Sequence, residues 1–391
     1  MFQNRTARSF AASPARILAG VLTVALVTAG CSSSRDTESS GERPYAASDD
    51  VRATVLPQLA AVGEDLEAAD DAAWVVDASM KDADEGTPVR LMAPTIDGEW
   101  KTLDEAETDA RGAATLTTRI SGELHVVVGD GDDALGTEVS TEDAPQATFT
   151  DDFDENTVDV DSDKRNWTTR SQGFIGVRTC SRADSSAAEV ADGVLRLSVL
   201  DDPDRDQCRL PGRRKQFDNR LNGHVGTEGI YDFTYGFAAA RIRTQSARGQ
   251  HSAFWIQAKG GQRAGGAKKG GAEIDVMEYF GDDHPQGGLT SFTYSLDKDG
   301  DKQTQGGWVE DLDDYGSDWA GQYHVFSVEW TPKEYVFRID GQVTHRLKGE
   351  TSGRPEFLIL SLLSSDYELP NFNGELPEHM DVDWARVWAT G

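Results

Sequence analysis

The sequence predicts an all-β protein made of a large double-sheet sandwich preceded by a smaller one. Three observations lead there. Residues 149–391 contain many short runs rich in β-branched and aromatic residues, such as GVLRLSVL, FTYGFAAARIRT, EIDVMEYF and YHVFSVEWT, with almost no helical periodicity between them. Residues 73–128 hold five shorter runs about ten residues apart, a spacing that suits a small β-sandwich. A chain of 391 residues that is 38% hydrophobic is too long for one typical domain and can bury a sizeable core.

In chain order, residues 1–30 read as an export signal. Arg5, Arg8 and Arg16 precede a short apolar run over 17–27, which ends in Thr28-Ala29-Gly30-Cys31. The run is shorter than the ~20 residues needed to span a bilayer, and small residues before Cys31 fit a cleavage site. The segment resembles a bacterial lipobox, which implies lipidation of Cys31 and a surface lipoprotein, or a secreted protein, with no other membrane contact. With Cys31 set aside, Cys180 and Cys208 remain, and in an exported chain two cysteines read as one disulfide.

Residues 31–50 are polar and low in complexity, as expected of a tether. Residues 51–128 form the small sandwich, although 51–70 alone fit a short helix or strands equally. The phrase GTPVRLMAPTIDGEWKTLDEAETDARGAATL resembles bacterial immunoglobulin-like domains that accompany secreted enzymes. Residues 129–148 (GDGDDALGTEVSTEDAPQAT) read as an acidic linker.

Charge narrows the partner. The net charge is −30; residues 31–150 carry 27 acids against 8 bases, and residues 151–391 carry 41 against 27. Such a surface repels phosphate backbones and disfavours nucleic acid. A neutral polymer fits best, and nothing in the pattern requires an oligomer, so a monomer is expected.

The chemistry centres on Ala272-Glu273-Ile274-Asp275-Val276-Met277-Glu278-Tyr279. Side chains alternate along a strand, so Glu273 and Asp275 share one face. An unbroken strand would turn Glu278 into the apolar side at high cost. One extra residue at Val276-Met277, a β-bulge, returns Glu278 to the acidic face. The two glutamates are then about four paired steps, or ~13 Å, apart along the backbone. Side chains leaning together would bring the carboxyls to ~5–6 Å, close to the separation of retaining glycosidases. Three neighbouring acids cannot all ionise cheaply, so at least one pKa should rise, as a general acid requires.

Glu-Ile-Asp-Val-Met-Glu resembles the catalytic motif of glycoside hydrolase family 16 in its bulged form. Four flanking blocks agree in order: YGFAAARI (235–242), SAFW (252–255), HVFSVEWTP (324–332) with Ile339-Asp340-Gly341 after it, and VDWARVW (382–388). The resemblance spans 149–391 and implies a concanavalin-like β-jelly roll. It also implies that Glu273 is the nucleophile, Glu278 the acid/base and Asp275 their helper. No cofactor is implied for catalysis. A structural calcium near Gly193 and Asp383 is. The implied substrate is a polysaccharide, a β-1,3- or β-1,3/1,4-glucan first and a β-galactan second. A transglycosylase using the same residues is an alternative, and a non-catalytic sugar binder on the same sandwich is the reading from another class.

Further groove candidates follow. The resemblance makes Trp255 a sugar-stacking residue. Many family members carry His beside the groove on the strand after the catalytic one, where this chain has Phe292-Thr293-Tyr294, so Thr293 or Tyr294 is expected in its place. His251 could reach the groove or sit on the surface. Trp308 and Trp319 lie in Gly/Asp-rich loops, where each would bind sugar or pack beneath its loop.

Overall fold

The computed structural model describes residues 43–390 except 172, 174 and 175, so the export segment and Cys31 lie outside the described residues. The described residues form a single compact unit. Its larger part is one long path of antiparallel strands bent into two facing layers. The first layer runs, neighbour to neighbour, through Lys302–Trp308, Leu289–Leu296, Ala272–Tyr279, His251–Ala258, Glu356–Leu363 and Arg220–Gly226. The second continues through Val194–Asp201, Glu378–Ala389, Gly236–Arg243, His324–Trp330, Glu334–Ile339 and Gln342–Lys348. One apolar core lies between them, with Ile274, Met277 and Leu360 from the first layer meeting Phe326, Val382 and Val387 from the second. This is the jelly-roll sandwich expected for residues 149–391.

The Arg220–Gly226 strand makes the corner. Its first residues pair with Val194–Asp201, while Gly223 to Gly226 pair with Glu356–Leu363. Gly223 suits the bend because a Cβ there would lie 2.5 Å from the Ala187 carbonyl oxygen and 2.8 Å from the Leu197 Cβ. Cys180 and Cys208 are bonded, with Cα atoms 5.6 Å apart. The bridge sits in a small satellite core with Leu210, Phe217 and Leu369 at one end of the first layer.

The front part is a second, smaller two-sheet sandwich. Three strands, Val51–Ala60, Ala73–Met80 and Ala113–Thr118, face a five-stranded sheet containing Pro88–Pro94, Trp100–Glu107, Glu123–Val128 and Leu135–Ser140. Val76, Leu91, Leu116, Leu124 and Val126 fill the space between. The ambiguous 51–70 stretch thus begins with a ten-residue strand. Pro57 is accommodated because the register slips on both sides of Gln58, and a bulge tolerates the missing N–H.

Two boundaries read from composition are corrected. Leu135–Ser140, placed in the acidic linker, is a strand paired along its whole length with Glu123–Val128. Ala46 and Ala47, placed in the tether, pair with Leu135 and Gly136. Leu135–Ser140 is short and mostly half-buried and carries Glu138, and Ala46–Ala47 is only two exposed residues, so neither shows apolar alternation. Their places depend on Tyr45, which packs so tightly over Gly136 that a Cβ there would lie 2.6 Å from its ring.

The two sandwiches share a core. Leu56, Leu59, Ala61 and Val75 pack with Phe237, Ala239, Val325, Trp384 and Trp388 on the outer face of the second layer. Polar contacts reinforce this seam. Arg241, 1% exposed, donates to the carbonyls of Ala61 (2.8 Å) and Asp65 (3.0 Å) and pairs with Asp383. Arg386 donates to Ala69 O (2.9 Å), and Arg338 pairs with Asp77 (2.7 Å).

Candidate active site

The bulge is where the alternation argument put it. On one side Trp255 pairs with Asp275 and Phe254 with Met277, which leaves Val276 as the extra residue. On the other side Asp275 faces Phe292 and Glu278 faces Thr290. The Ser291 hydroxyl donates to the Val276 carbonyl at 2.9 Å and ties the bulge down. Ile274, Val276 and Met277 are all in the core, so Glu273, Asp275 and Glu278 turn to the opposite side. The three acids line one cleft on the first layer, together with Trp255, His251, Tyr294, Arg178, Lys302 and Ser361.

Each acid has its own surroundings. Glu273 accepts amide N–H groups from Gln257 (3.0 Å) and Gln262 (3.4 Å). Asp275 is 6% exposed. Burial lifts its pKa well above the ordinary carboxylate value, the charges of Glu278 and Glu273 push further, and Lys302 opposes. A protonated Asp275 can donate a hydrogen bond to either flanking carboxylate. Burial also raises Glu278; His251 pulls the other way, Glu368 and Glu273 push up, and Thr290, donating at 3.3 Å, lowers it. An acid whose pKa is raised, set beside a second carboxylate in one cleft, is a pairing suited to general acid and nucleophile.

Of the other candidates, Trp255 forms the cleft wall. Its indole N–H donates to Ser361 Oγ (3.1 Å) and its ring stacks near that of His224. Tyr294 pairs directly across from Glu273, and burial together with the three acids pushes its hydroxyl pKa up. Lys302 Nζ sits 3.6 Å from the centre of the Tyr294 ring. His251 is buried, with one ring nitrogen 2.8 Å from Glu368 and the other 3.8 Å from Glu278.

Two expectations need correction, Trp319 as a sugar platform and calcium at Asp383. Trp319 is 6% exposed and part of the main core, packed on His324 and Phe326, so it cannot stack on a sugar. Its loop folds over the end of the sandwich, which the Gly/Asp-rich flanks do not reveal. Trp308 does not line the acid cleft. It stacks on His284 (4.7 Å between ring centres) in an adjoining hollow with Phe280 and Tyr367. The calcium reading does not fit at Asp383, whose Oδ2 takes the Arg241 guanidinium and the Glu67 N–H. A cationic side chain already satisfies that carboxylate, and Gly193 lies in a turn with φ of 77°.

Sequence reasoning missed Gln257, Arg178 and Glu368. Gln257 lies two residues beyond Trp255 and so shares its face, a signal that was there to be read. Arg178 and Glu368 come from loops, where no periodicity marks them.

Glu356 is a further buried acid beneath the carboxylate strand. It accepts the Ala272 N–H at 2.9 Å, and burial raises its pKa to about 8. From its ordinary value of 4.5 up to about 8, the unfolded chain releases this proton while the folded chain retains it. Folding stability therefore falls as pH rises through that window. Glu356→Gln keeps the acceptor and removes the ionisation. The variant is expected to match wild type in thermal unfolding at pH 4 and to melt higher than wild type at pH 8; equal midpoints at both pH values would refute this.

The fold and site together define a double-sheet β-sandwich with a row of carboxylates, each in its own surroundings, along one cleft. In comparison with known proteins, residues 207–386 match the family model for glycosyl hydrolases family 16. A beta-glucanase of Bacillus subtilis is 27% identical over 117 residues, covering 29% of this chain and 44% of the relative. A glucan endo-1,3-beta-glucosidase A1 of Niallia circulans is 25% identical over 223 residues, 51% of this chain and 30% of the relative. The chain thus spans about half the length, or less, of these curated relatives. Among solved structures, the laminarinase catalytic domain of Thermotoga maritima aligns with 63% of this chain and 99% of its own, with 20% identity and a TM-score of 0.47.

Proposed function

We propose that this chain is a retaining, endo-acting glycoside hydrolase that cleaves internal β-linkages of a neutral polysaccharide, a β-1,3- or mixed β-1,3/1,4-glucan. The observation that carries the reading is the bulge at Val276, which brings Glu273, Asp275 and Glu278 to one cleft. In the first step Glu273 attacks the anomeric carbon while Glu278 gives its proton to the departing glycosidic oxygen, leaving a covalent glycosyl ester on Glu273. In the second, Glu278 takes a proton from water, whose oxygen displaces Glu273 and restores both groups. Asp275 stands on the same face between them, and its raised pKa favours a proton that it can donate to either carboxylate. Trp255 offers the aromatic face for a sugar ring, and Tyr294 a hydroxyl beside Glu273.

The glucan assignment draws on the relatives' names and on the chain's net charge of −30, which disfavours polyanionic polymers. We also propose that the protein works as a monomer at the outer face of the cell, anchored through lipid on Cys31. The test of the substrate is reducing-sugar release from laminarin, lichenan and agarose, with chain-length analysis of products. Short oligosaccharides from laminarin or lichenan are expected. Release from agarose alone would move the substrate to β-galactans, and tight binding without release from any polymer would replace the hydrolase with a sugar binder.

A further inference from the structure

We infer that His251, clamped by Glu368, is a positioning residue for Glu278: a buried ring that sets its Nε2 against the carboxyl which gives and takes the proton. The inference rests on the hydrolase reading of the cleft and adds to it a device that controls the acid/base.

The geometry is specific. His251 opens the strand His251–Ala258, and two residues on, Ala253 pairs directly with Glu278. Its side chain is 4% exposed and that of Glu368 is 6%. Glu368 Oε2 lies 2.8 Å from His251 Nδ1 and also accepts the Ser365 N–H at 3.0 Å, so this oxygen faces a donor from each side. The Glu368 backbone is fixed in turn by a bond from its N–H to Ser365 O (2.9 Å). The imidazole leans on Phe280 with ring centres 5.1 Å apart. Held this way, the ring keeps its Nδ1 proton on Glu368 and presents Nε2 to Glu278 Oε1 at 3.8 Å. That is an ion-pair distance rather than a hydrogen bond, so the contact strengthens when Glu278 becomes charged. A group buried this deeply cannot stack on a sugar.

The charges around the pair set the sign. Burial works against the imidazolium, but Glu368 and Glu278 outweigh it and His251 is raised, with Arg178 opposing from the loop before Cys180. Around Glu278 stand Glu273 and Asp275 from its own strand, Thr290 and Tyr294 from the next strand, Arg178 from the loop before Cys180, and Glu368 with Tyr367 from the loop beyond Glu356–Leu363. Lys302 faces Asp275 from the strand at the sheet edge. Of the two cations around Glu278, His251 does most to lower it. Without it, Glu278 holds its proton to higher pH and is a poorer proton donor.

The test is the pH profile of His251→Gln on a glucan the wild type hydrolyses, beside the same variant on an aryl β-glucoside whose leaving group departs without a proton. The basic limb of kcat/KM is expected to move to higher pH, and the glucan rate to fall on the order of ten- to a hundred-fold. Formation of the glycosyl-enzyme from the aryl substrate should stay near wild type. Glu368→Gln, which leaves the imidazole in place and removes its clamp, should reproduce the leaving-group dependence, and it decides the matter if His251→Gln does not fold. An unmoved basic limb with equal loss on both substrates would overturn the inference while leaving the hydrolase standing. A wild type that hydrolyses no glycan would instead remove the hydrolase reading, and the inference with it.

Discussion

Glu273→Gln is expected to lower glucan hydrolysis by at least about 10⁴-fold, because it removes the atom that forms the covalent intermediate. Glu278→Gln should cost roughly 10²–10⁴-fold, the usual worth of a positioned general acid. The two losses differ in kind. An aryl glucoside with a good leaving group needs no proton, so it should restore glycosyl-enzyme formation in Glu278→Gln and leave Glu273→Gln inactive. Added azide needs no general base to attack, so it should speed turnover of the Glu278 variant and yield a β-glycosyl azide. Both variants should melt close to wild type, since neither side chain is fully buried nor part of the core. If either variant retained more than about a tenth of wild-type activity, its assigned step would be wrong. The reverse substrate dependence would exchange the two roles.

The second large effect lies far from the cleft. Arg241→Ala is expected to destabilise the protein by about 3–5 kcal/mol, the usual consequence of removing one partner from a buried ion pair. Asp383, 4% exposed, would keep a charge with only the Glu67 N–H to answer it, and the carbonyls of Ala61 and Asp65 would lose their donor. Because the front sandwich and the outer layer share one apolar cluster, the loss should appear as a lower midpoint of a single transition, on the order of 10 °C. Two separate transitions would contradict a shared core, and an unchanged midpoint would show that Arg241 does not hold the seam. Activity measured below the transition should be near wild type, because the cleft lies on the opposite layer.

This seam is the feature that reading along the chain misplaced. The segment 129–148 looks like a linker because it is acidic and rich in turn formers, and in an isolated domain such a composition would stay solvated. Here Leu135–Ser140 completes a sheet, and the loop over 61–67 supplies carbonyls to Arg241. Nothing in the local pattern of Arg241 names those partners, which lie about 180 residues away. Glu368 was invisible for the same reason: its value to His251 arises only when the loop after Glu356–Leu363 closes against the start of another strand.

By itself the sequence determined the all-β class, the disulfide partners and the bulged carboxylate row. Each follows from constraints that act between near neighbours: the two-residue period of a strand, the cost of turning Glu278 into the core, and the pairing of two remaining cysteines. Only the tertiary structure decided that Trp319 is core, that Asp383 belongs to Arg241, and that His251 stands between Glu368 and Glu278. Those facts depend on which loops meet across the sandwich, and contact between distant segments is set by the packing of whole layers.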